Sequence, residues 1–316
     1  MLTRDEALFL FAVMSWNPQS LIPLAYHCHV KGSQPSLASD EFHEQLREFL
    51  ADAIAALDSH GHGADRSSSF DAKKAFWLPL LAAVVKPNDA RRRSLQAVLC
   101  PGPSPPGGAA LYISGKYPAL QPLLLRMHRV GFMVQCFEGR GLEDGHAKMW
   151  PARPHTWAAL PADGVGRSID NVLRSAASAG LVLHVGAESG IVRATIPAVD
   201  DANYDMTQHF VAELWAVCRH VMVEEQRAVL FYCSAGMHRS ATMLAAFLLH
   251  ETAAAAARRE KKERPDMDVA AIVALINQAR SFAMPTDVCL AQLHCYLQRL
   301  RGDLSLSSNP VFMLGI

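Results

Sequence analysis

Before residue 100, the apolar positions recur at helical spacing. In residues 41–57 they return every three or four positions, which predicts an amphipathic helix. A second apolar stretch, 75–85, contains Pro79, so we expect a helix that is kinked or split there. The first apolar run, 7–16, is too short to cross a bilayer and ends at Asn17-Pro18, which favours a buried helix over a signal peptide. The pattern predicts an α-helical N-terminal extension and no membrane segment.

A proline- and glycine-rich segment interrupts this pattern at residues 101–108. Four prolines and three glycines among these eight residues cannot sustain a helix or a central strand. We therefore place a linker here, after a helical N-terminal region at 1–100. That region packs on the rest of the chain, recruits a protein partner or occludes a site, and the three roles stay open.

After the linker, apolar runs of strand length alternate with amphipathic stretches of helical length. Such alternation is typical of an α/β domain with a central, mostly parallel sheet flanked by helices. We place this domain at 109–301, with a Gly-, Pro- and charge-rich surface insertion at 138–167 and a C-terminal tail at 302–316. Residues 253–264 fit either an extension of the preceding helix or an inserted loop. The predicted strands are 110–114, 132–137, 181–185, 191–196 and 228–232, and the predicted helices are 118–130, 168–179, 207–225, 239–251, 269–282 and 286–301.

Composition narrows the functional classes. Half of the 316 residues are hydrophobic, which is ample for a packed core, and 30 basic residues balance 30 acidic ones. Without a basic excess, nucleic-acid binding through phosphates is disfavoured. The seven cysteines include no C-x-x-C pair and are odd in number, which argues against a disulfide framework and favours a reducing, cytoplasmic location. His60 and His62 have no further ligands at useful spacing, so we expect a loop there, and neither a metal nor a cofactor.

One segment carries a strong chemical pattern. The apolar run 228–232 ends at Cys233, and a helix is predicted to begin at Arg239. In such a strand–loop–helix turn, backbone N–H groups converge on an anion and the helix dipole adds to their effect, which favours a thiolate at Cys233. Arg239 can hold two phosphate oxygens, and Ser240 can donate to the sulfur. The alternative is a core cysteine beside a surface arginine. The loop itself consists of Ser234, Ala235, Gly236, Met237 and His238.

The spacing of Cys, five residues, Arg and Ser resembles the phosphate-binding loop of cysteine-dependent protein phosphatases. The segment Ile196-Pro197-Ala198-Val199-Asp200 is similar to the general-acid loop of the dual-specificity phosphatases, with Asp200 in the place of their proton donor. Residues 111–115 and 285–293 resemble that family's opening strand and closing helix. The resemblance spans about 110–300 and implies a cysteine-phosphatase-like fold. The catalytic residues that it implies are Cys233, Arg239, Asp200 and Ser240.

Three positions depart from the family's pattern. Tyr232 precedes the cysteine, where the family usually has histidine. The Trp-Pro-Asp triplet of the tyrosine-specific enzymes is missing, since Trp150-Pro151 lies far upstream and is followed by Ala152. Their tyrosine-containing loop, which deepens the pocket, has no counterpart either. The last two departures favour a shallow pocket.

The resemblance implies a metal-independent protein phosphatase that hydrolyses phosphotyrosine, and phosphoserine or phosphothreonine, through a phosphocysteine intermediate. Its partner would be a phosphorylated protein, with no nucleic acid and no membrane. Two alternatives stay open. Phosphoinositide and RNA 5′-end phosphatases use similar loops, although residues 234–238 lack the lysines that suit multiply charged substrates. Non-catalytic phospho-binding or scaffold proteins typically lack the cysteine or the acid, and both are present here.

Overall fold

The computed structural model describes residues 6, 9–10, 39–58, 68–84, 95–98, 110–138, 157–160, 169–186, 189–201, 203–258 and 268–302. The predicted linker 101–108 and the His60/His62 segment lie outside these residues, as do most of the insertion 138–167 and nearly all of the tail 302–316. Within the described ranges, no helix has both the length and the apolar character that crossing a membrane requires.

A seven-stranded mixed sheet forms the centre of the fold. Its strands are β1 (Gln96–Val98), β2 (Leu111–Gly115), β3 (Val130–Gln135), β4 (Trp157–Ala159), β5 (Val182–Gly186), β6 (Val192–Thr195) and β7 (Ala228–Cys233). They follow the order β1-β2-β7-β3-β6-β5-β4, with parallel pairing from β2 to β6 and antiparallel pairing at both edges. Every residue of β3 and β7 is buried, as in central strands covered on both faces. The predicted mostly parallel sheet is confirmed at its centre.

Besides the helical residues 6, 9 and 10, nine α-helices accompany the sheet in the described residues. They are α1 (Ser39–Asp58), α2 (Ser68–Val84), α3 (Lys116–Ala119), α4 (Pro122–Met127), α5 (Asp170–Ser178), α6 (Ala212–Val223), α7 (Arg239–Arg258), α8 (Val269–Ala279) and α9 (Asp287–Arg301). Most lie where the sequence pattern predicts them. Helix α7 runs on to Arg258, so residues 253–258 extend the preceding helix.

Three helix predictions need correction. Of the kink or split expected at Pro79, the split is not seen, because α2 is continuous through that residue. The single helix expected at 118–130 is two short helices, since Pro122 begins α4 and Gln121 before it has an extended backbone. The helix expected at 207–225 is a 3₁₀ turn at Thr207–His209 followed by α6, because Val211 is also extended.

The N-terminal region contributes a strand that the sequence pattern missed. Strand β1 lies before the predicted linker and pairs antiparallel with β2, so the sheet begins upstream of that segment. Farther upstream, α1 and α2 pack on each other through Phe49, whose ring stacks 6.1 Å from Phe70 and 6.2 Å from Trp77. Lys73 and Asp52 form an ion pair of 2.7 Å between the same helices.

An aromatic cluster fixes α7 against the sheet. The Phe247 ring on α7 lies 5.9 Å from Phe231 of β7 and 5.7 Å from Trp215 of α6. Trp215 in turn donates to the Tyr296 hydroxyl of α9 at 3.0 Å. Because these side chains hold β7 and α7 together, the loop that joins the two elements is supported at both ends.

Candidate active site

The segment that joins β7 to α7 wraps around the sulfur of Cys233. Cys233 is the last residue of β7 and is 2% exposed. The Gly236 N–H donates to its Sγ over 3.2 Å, and the Ser240 hydroxyl donates over 3.3 Å. Two donors on one sulfur, at the N-terminus of a 20-residue helix, favour a negative charge there.

Four of the loop's five carbonyl groups accept hydrogen bonds from residues outside the loop. The Ser234 carbonyl accepts from the Lys116 N–H at 3.2 Å, and the His238 carbonyl accepts from Thr242. The carbonyls of Ala235 and Gly236 both accept from the guanidinium of Arg280, at 3.0 and 2.9 Å. Because a trans peptide carries its C=O and N–H on opposite sides, the bond from Arg280 to the Ala235 carbonyl turns the Gly236 N–H of the same plane toward the sulfur.

Glycines let the loop approach the end of β2. Gly236 has a φ of +73°, and a Cβ there would lie 2.4 Å from the Ser114 carbonyl carbon. A Cβ on Gly115 would lie 3.1 Å from the Ala235 oxygen. Both neighbours are backbone atoms, so neither can turn aside as a flexible side chain does.

Arg239 and Asp200 form an ion pair at the mouth of the loop. The Arg239 Nη2 lies 2.9 Å from the Asp200 Oδ2, and its Nη1 donates to the Ala198 carbonyl at 3.2 Å. The Arg239 side chain is 11% exposed and that of Asp200 is 70% exposed. The arginine thus fixes residues 198–200 over the loop, and the paired Asp200 side chain stays largely exposed to solvent.

The two adjacent aspartates have different surroundings. Asp201 accepts the Asn203 N–H at 2.8 Å with its own carboxylate, which closes a local turn. Asp200 instead faces the arginine. The Tyr204 hydroxyl donates to the Pro197 carbonyl at 3.2 Å and lies 2.9 Å from the His209 Nε2, which braces the segment from behind.

Tyr232 is a neutral, buried support beneath the cysteine. Its hydroxyl donates to the Gln135 Oε1 at 2.6 Å, and its ring meets that of Phe137 edge-on with centroids 5.7 Å apart. The side-chain amide of Gln135 in turn donates a hydrogen bond to the Phe137 carbonyl. The tyrosine therefore ties β7 to β3.

A second cysteine lies buried at the end of β3. Burial raises the pKa of the Cys136 thiol well above its usual range, and the proximity of Cys233 raises it further. Its sulfur donates to the Val134 carbonyl at 3.6 Å. Cys136 is thus held as a neutral thiol, unlike a nucleophile.

The structure brings the predicted site residues Cys233, Gly236, Arg239, Ser240 and Asp200 together. Sequence reasoning missed Arg280 and its partner Gln96, which are distant in the chain. The available signal for Arg280 was a lone charged residue at the end of the apolar helix α8.

No known protein family matches the sequence, and no curated protein does so either. The chain is similar to several solved phosphatase structures. A variant of human DUSP28 is 16% identical, with a TM-score of 0.41 over 66% of this chain and 98% of that one. The Yvh1 phosphatase domain from Chaetomium thermophilum is 14% identical, with a TM-score of 0.40 over 68% and 100% of the two chains. Protein tyrosine phosphatase TbPTP1 of Trypanosoma brucei is 14% identical, with a TM-score of 0.42 over 68% and 75%.

Proposed function

We propose that this protein is a cysteine-dependent phosphatase of the dual-specificity type. The observation that carries the proposal is the sulfur of Cys233, which receives hydrogen bonds from Gly236 and Ser240 beneath the Arg239–Asp200 pair. A nucleophile, an anion-binding loop and an acid thus lie together in one site. A surface or core cysteine needs none of these neighbours.

In the first step the Cys233 thiolate attacks phosphorus, the S–P bond forms and the ester P–O bond breaks. The inward N–H groups and Arg239 hold the three non-bridging oxygens, on which the negative charge is spread. The incoming phosphate competes with Asp200 for the guanidinium. The released Asp200 carboxyl, protonated from solvent, gives its proton to the leaving oxygen.

In the second step water attacks the phosphocysteine, the S–P bond breaks and inorganic phosphate leaves. The Asp200 carboxylate takes the proton from the water. The departing thiolate is stabilised by the hydroxyl of Ser240, which already donates to that sulfur at 3.3 Å. The cycle ends with the starting thiolate and needs no external group.

The proposed substrates are phosphotyrosine and phosphoserine or phosphothreonine in proteins. Around the site, Ala235 and His238 of the loop and Val199 beside the acid are exposed, and this open rim suits a phosphate displayed on a protein surface. A shallow rim admits both long and short phosphorylated side chains. We therefore propose phosphomonoesters of proteins as the substrates, and the cytoplasm as the setting.

The direct test is hydrolysis of a generic aryl phosphate in the presence of a chelator. The full-length protein should turn over, and Cys233→Ser should lose activity on the order of 10³-fold or more while phosphopeptide binding survives. Cys295→Ser is the matched control, because that cysteine is exposed on α9. Binding without turnover in the unaltered protein would support a scaffold, and loss of turnover with chelator would support a metal-dependent enzyme.

A further inference from the structure

We propose that Arg280, oriented by Gln96, positions the loop 234–238 so that its N–H groups face the sulfur of Cys233. The proposal rests on the function proposed above, because it gives both residues a part in shaping that same site. They act through the loop backbone and are therefore positioning residues.

Arg280 lies directly behind the loop. It follows the last residue of α8 and is 2% exposed. Its Nε donates to the Gly236 carbonyl at 2.9 Å, and its Nη2 donates to the Ala235 carbonyl at 3.0 Å. One planar group thus holds two successive peptide planes, which is the fork geometry that arginine offers and lysine does not.

The two peptide planes that Arg280 holds are those that serve the anion site. The plane that carries the Ala235 carbonyl also carries the Gly236 N–H, which donates to the sulfur at 3.2 Å. The next plane carries the Gly236 carbonyl and the N–H of Met237. If Arg280 released these carbonyls, either plane could rotate and present an oxygen to the thiolate and to phosphate, which would repel both.

Gln96 fixes the orientation of the guanidinium. The remaining terminal nitrogen of Arg280 donates to the Gln96 Oε1, so each of its three nitrogens has an oxygen acceptor. Gln96 is 8% exposed and stands opposite Ile113 where β1 pairs with β2. The Phe282 ring lies 4.3 Å from the guanidinium carbon and closes one face of the group.

The three acceptors named above are neutral oxygens, and they hold the guanidinium directly behind the loop. A cation behind the loop favours a negative charge in front of it. The arginine therefore contributes in two separable ways, by geometry through its fork and by charge through its position. Lysine at 280 would retain the second contribution and lose the first.

The test compares Arg280→Met, Arg280→Lys and Gln96→Met in the full chain. Three quantities are measured: kcat/KM for an aryl phosphate, the pH midpoint of Cys233 alkylation by iodoacetamide followed by mass spectrometry, and protection from alkylation by inorganic phosphate. We expect Arg280→Met to lose about 10²-fold in kcat/KM, to raise the alkylation midpoint and to weaken protection. Arg280→Lys should keep the midpoint nearer the original value yet lose rate, and Gln96→Met should lose about tenfold.

Arg227→Met is the matched control. Arg227 also donates to a backbone carbonyl, that of Val130 at 2.8 Å, but at the opposite end of β7 from Cys233. Its variant should leave the alkylation midpoint and phosphate protection unchanged even if the melting temperature falls. The proposal is overturned if all three site variants keep kcat/KM within about threefold, or if their losses follow the melting temperature as in the control. Absence of turnover and of phosphate protection in the unaltered protein would instead refute the proposed function.

Discussion

Asp200 and Asp201 have identical side chains, but their adjacent positions in the turn give those side chains different partners. The Asp201 carboxylate is occupied by the backbone of its own turn, while that of Asp200 pairs with Arg239 over the loop. Only a carboxyl that can leave its partner and reach the leaving oxygen can serve as the acid. The geometry therefore favours Asp200, as the resemblance implied.

Replacing Asp200 should therefore be far more damaging than replacing Asp201. We expect Asp200→Asn to lower kcat by roughly 10²–10⁴-fold, because a positioned acid is worth about that much. The measurement is steady-state turnover of an aryl phosphate from pH 5 to 9.

Asp201→Asn is the control for that experiment. Asparagine keeps a side-chain oxygen for the Asn203 N–H, so the turn should persist and kcat should change by less than about threefold. If Asp201→Asn loses activity and Asp200→Asn does not, the acid is Asp201. The resemblance of this loop to the general-acid loop would then be displaced by one residue.

Tyr232 supports the loop without a charge, and this gives a second test at the residue scale. The donors on the sulfur come from Gly236 and Ser240, and the tyrosine hydroxyl is used by Gln135. We therefore expect Tyr232→His to leave the pH dependence of Cys233 alkylation little changed. Tyr232→Phe, which removes only the hydroxyl, should lower the melting temperature because it leaves the buried Gln135 oxygen without this donor.

The opposite result would change the assignment. In that case the unaltered protein would show an alkylation midpoint of about 8.5, the value of a free cysteine, and Tyr232→His would lower that midpoint towards neutrality. Such a result would mean that the tyrosine weakens the activation of Cys233 by the loop. The protein would then be a poor catalyst or a phosphate-binding module.

At the scale of elements, helices and strands with a clear hydrophobic pattern in their own sequence were predicted. Elements that form only by pairing with a distant part of the chain were not. The unbroken apolar run of β7 and the helix that starts at Arg239 were both visible. Strand β1 was not, because three residues have no period of their own and become a strand only by pairing with β2. The helix predicted at 118–130 spans Pro122, which instead begins α4 because Gln121 before it has an extended backbone.

The same distinction applies to the site. Cys233, Arg239 and Ser240 lie within eight consecutive residues, so their spacing alone reveals them. Asp200 required a resemblance. Arg280 and Gln96 are 44 and 140 residues from Gly236 respectively, and no local pattern links a buried arginine to a carbonyl so far away.

The contact between the loop and β2 yields a prediction at the scale of elements. Gly236→Ala places a Cβ within 2.4 Å of the Ser114 backbone at a positive φ, so the loop must move or strain. We expect kcat/KM to fall by at least about 10²-fold, because donors displaced by about an ångström lose catalysis. Gly180→Ala is the control, since that glycine also has a positive φ but a Cβ there meets nothing within 4 Å. Equal activity in the two variants would contradict the role of the close approach.

At the scale of the whole molecule, two partly buried histidines make the stability of the folded state depend on pH. Burial lowers the pKa of His209, which lies against Tyr204 behind the acid loop, although Asp205 opposes this. Burial also lowers the pKa of His250 on α7, with Glu251 opposing and Arg219 assisting. Both histidines are therefore easier to protonate in the unfolded chain than in the folded one.

The folded state should consequently lose stability in mild acid. Above the unfolded value of about 6.5, both states hold neutral histidines and the free energy of unfolding does not depend on them. As the pH falls from 6.5 through the lowered folded pKa values, the unfolded state binds more protons and stability decreases. Urea unfolding between pH 5 and 8 measures this, and His209→Gln with His250→Gln should flatten the slope. His294→Gln, at an exposed position of α9, should not; an unchanged slope in the double variant would contradict the prediction.

Within the described residues, both outer strands of the sheet, β1 and β4, are only three residues long. A short edge offers few unpaired backbone groups to a neighbouring molecule, so sheet extension is a poor route to self-association. Strand β1 therefore covers the outer edge of β2, whose five residues are nearly all buried. A chain cut at Gly107 would lack β1 and would expose the longer, apolar edge of β2. Such a fragment should aggregate as its concentration rises, even though it retains the whole motif from Cys233 to Ser240.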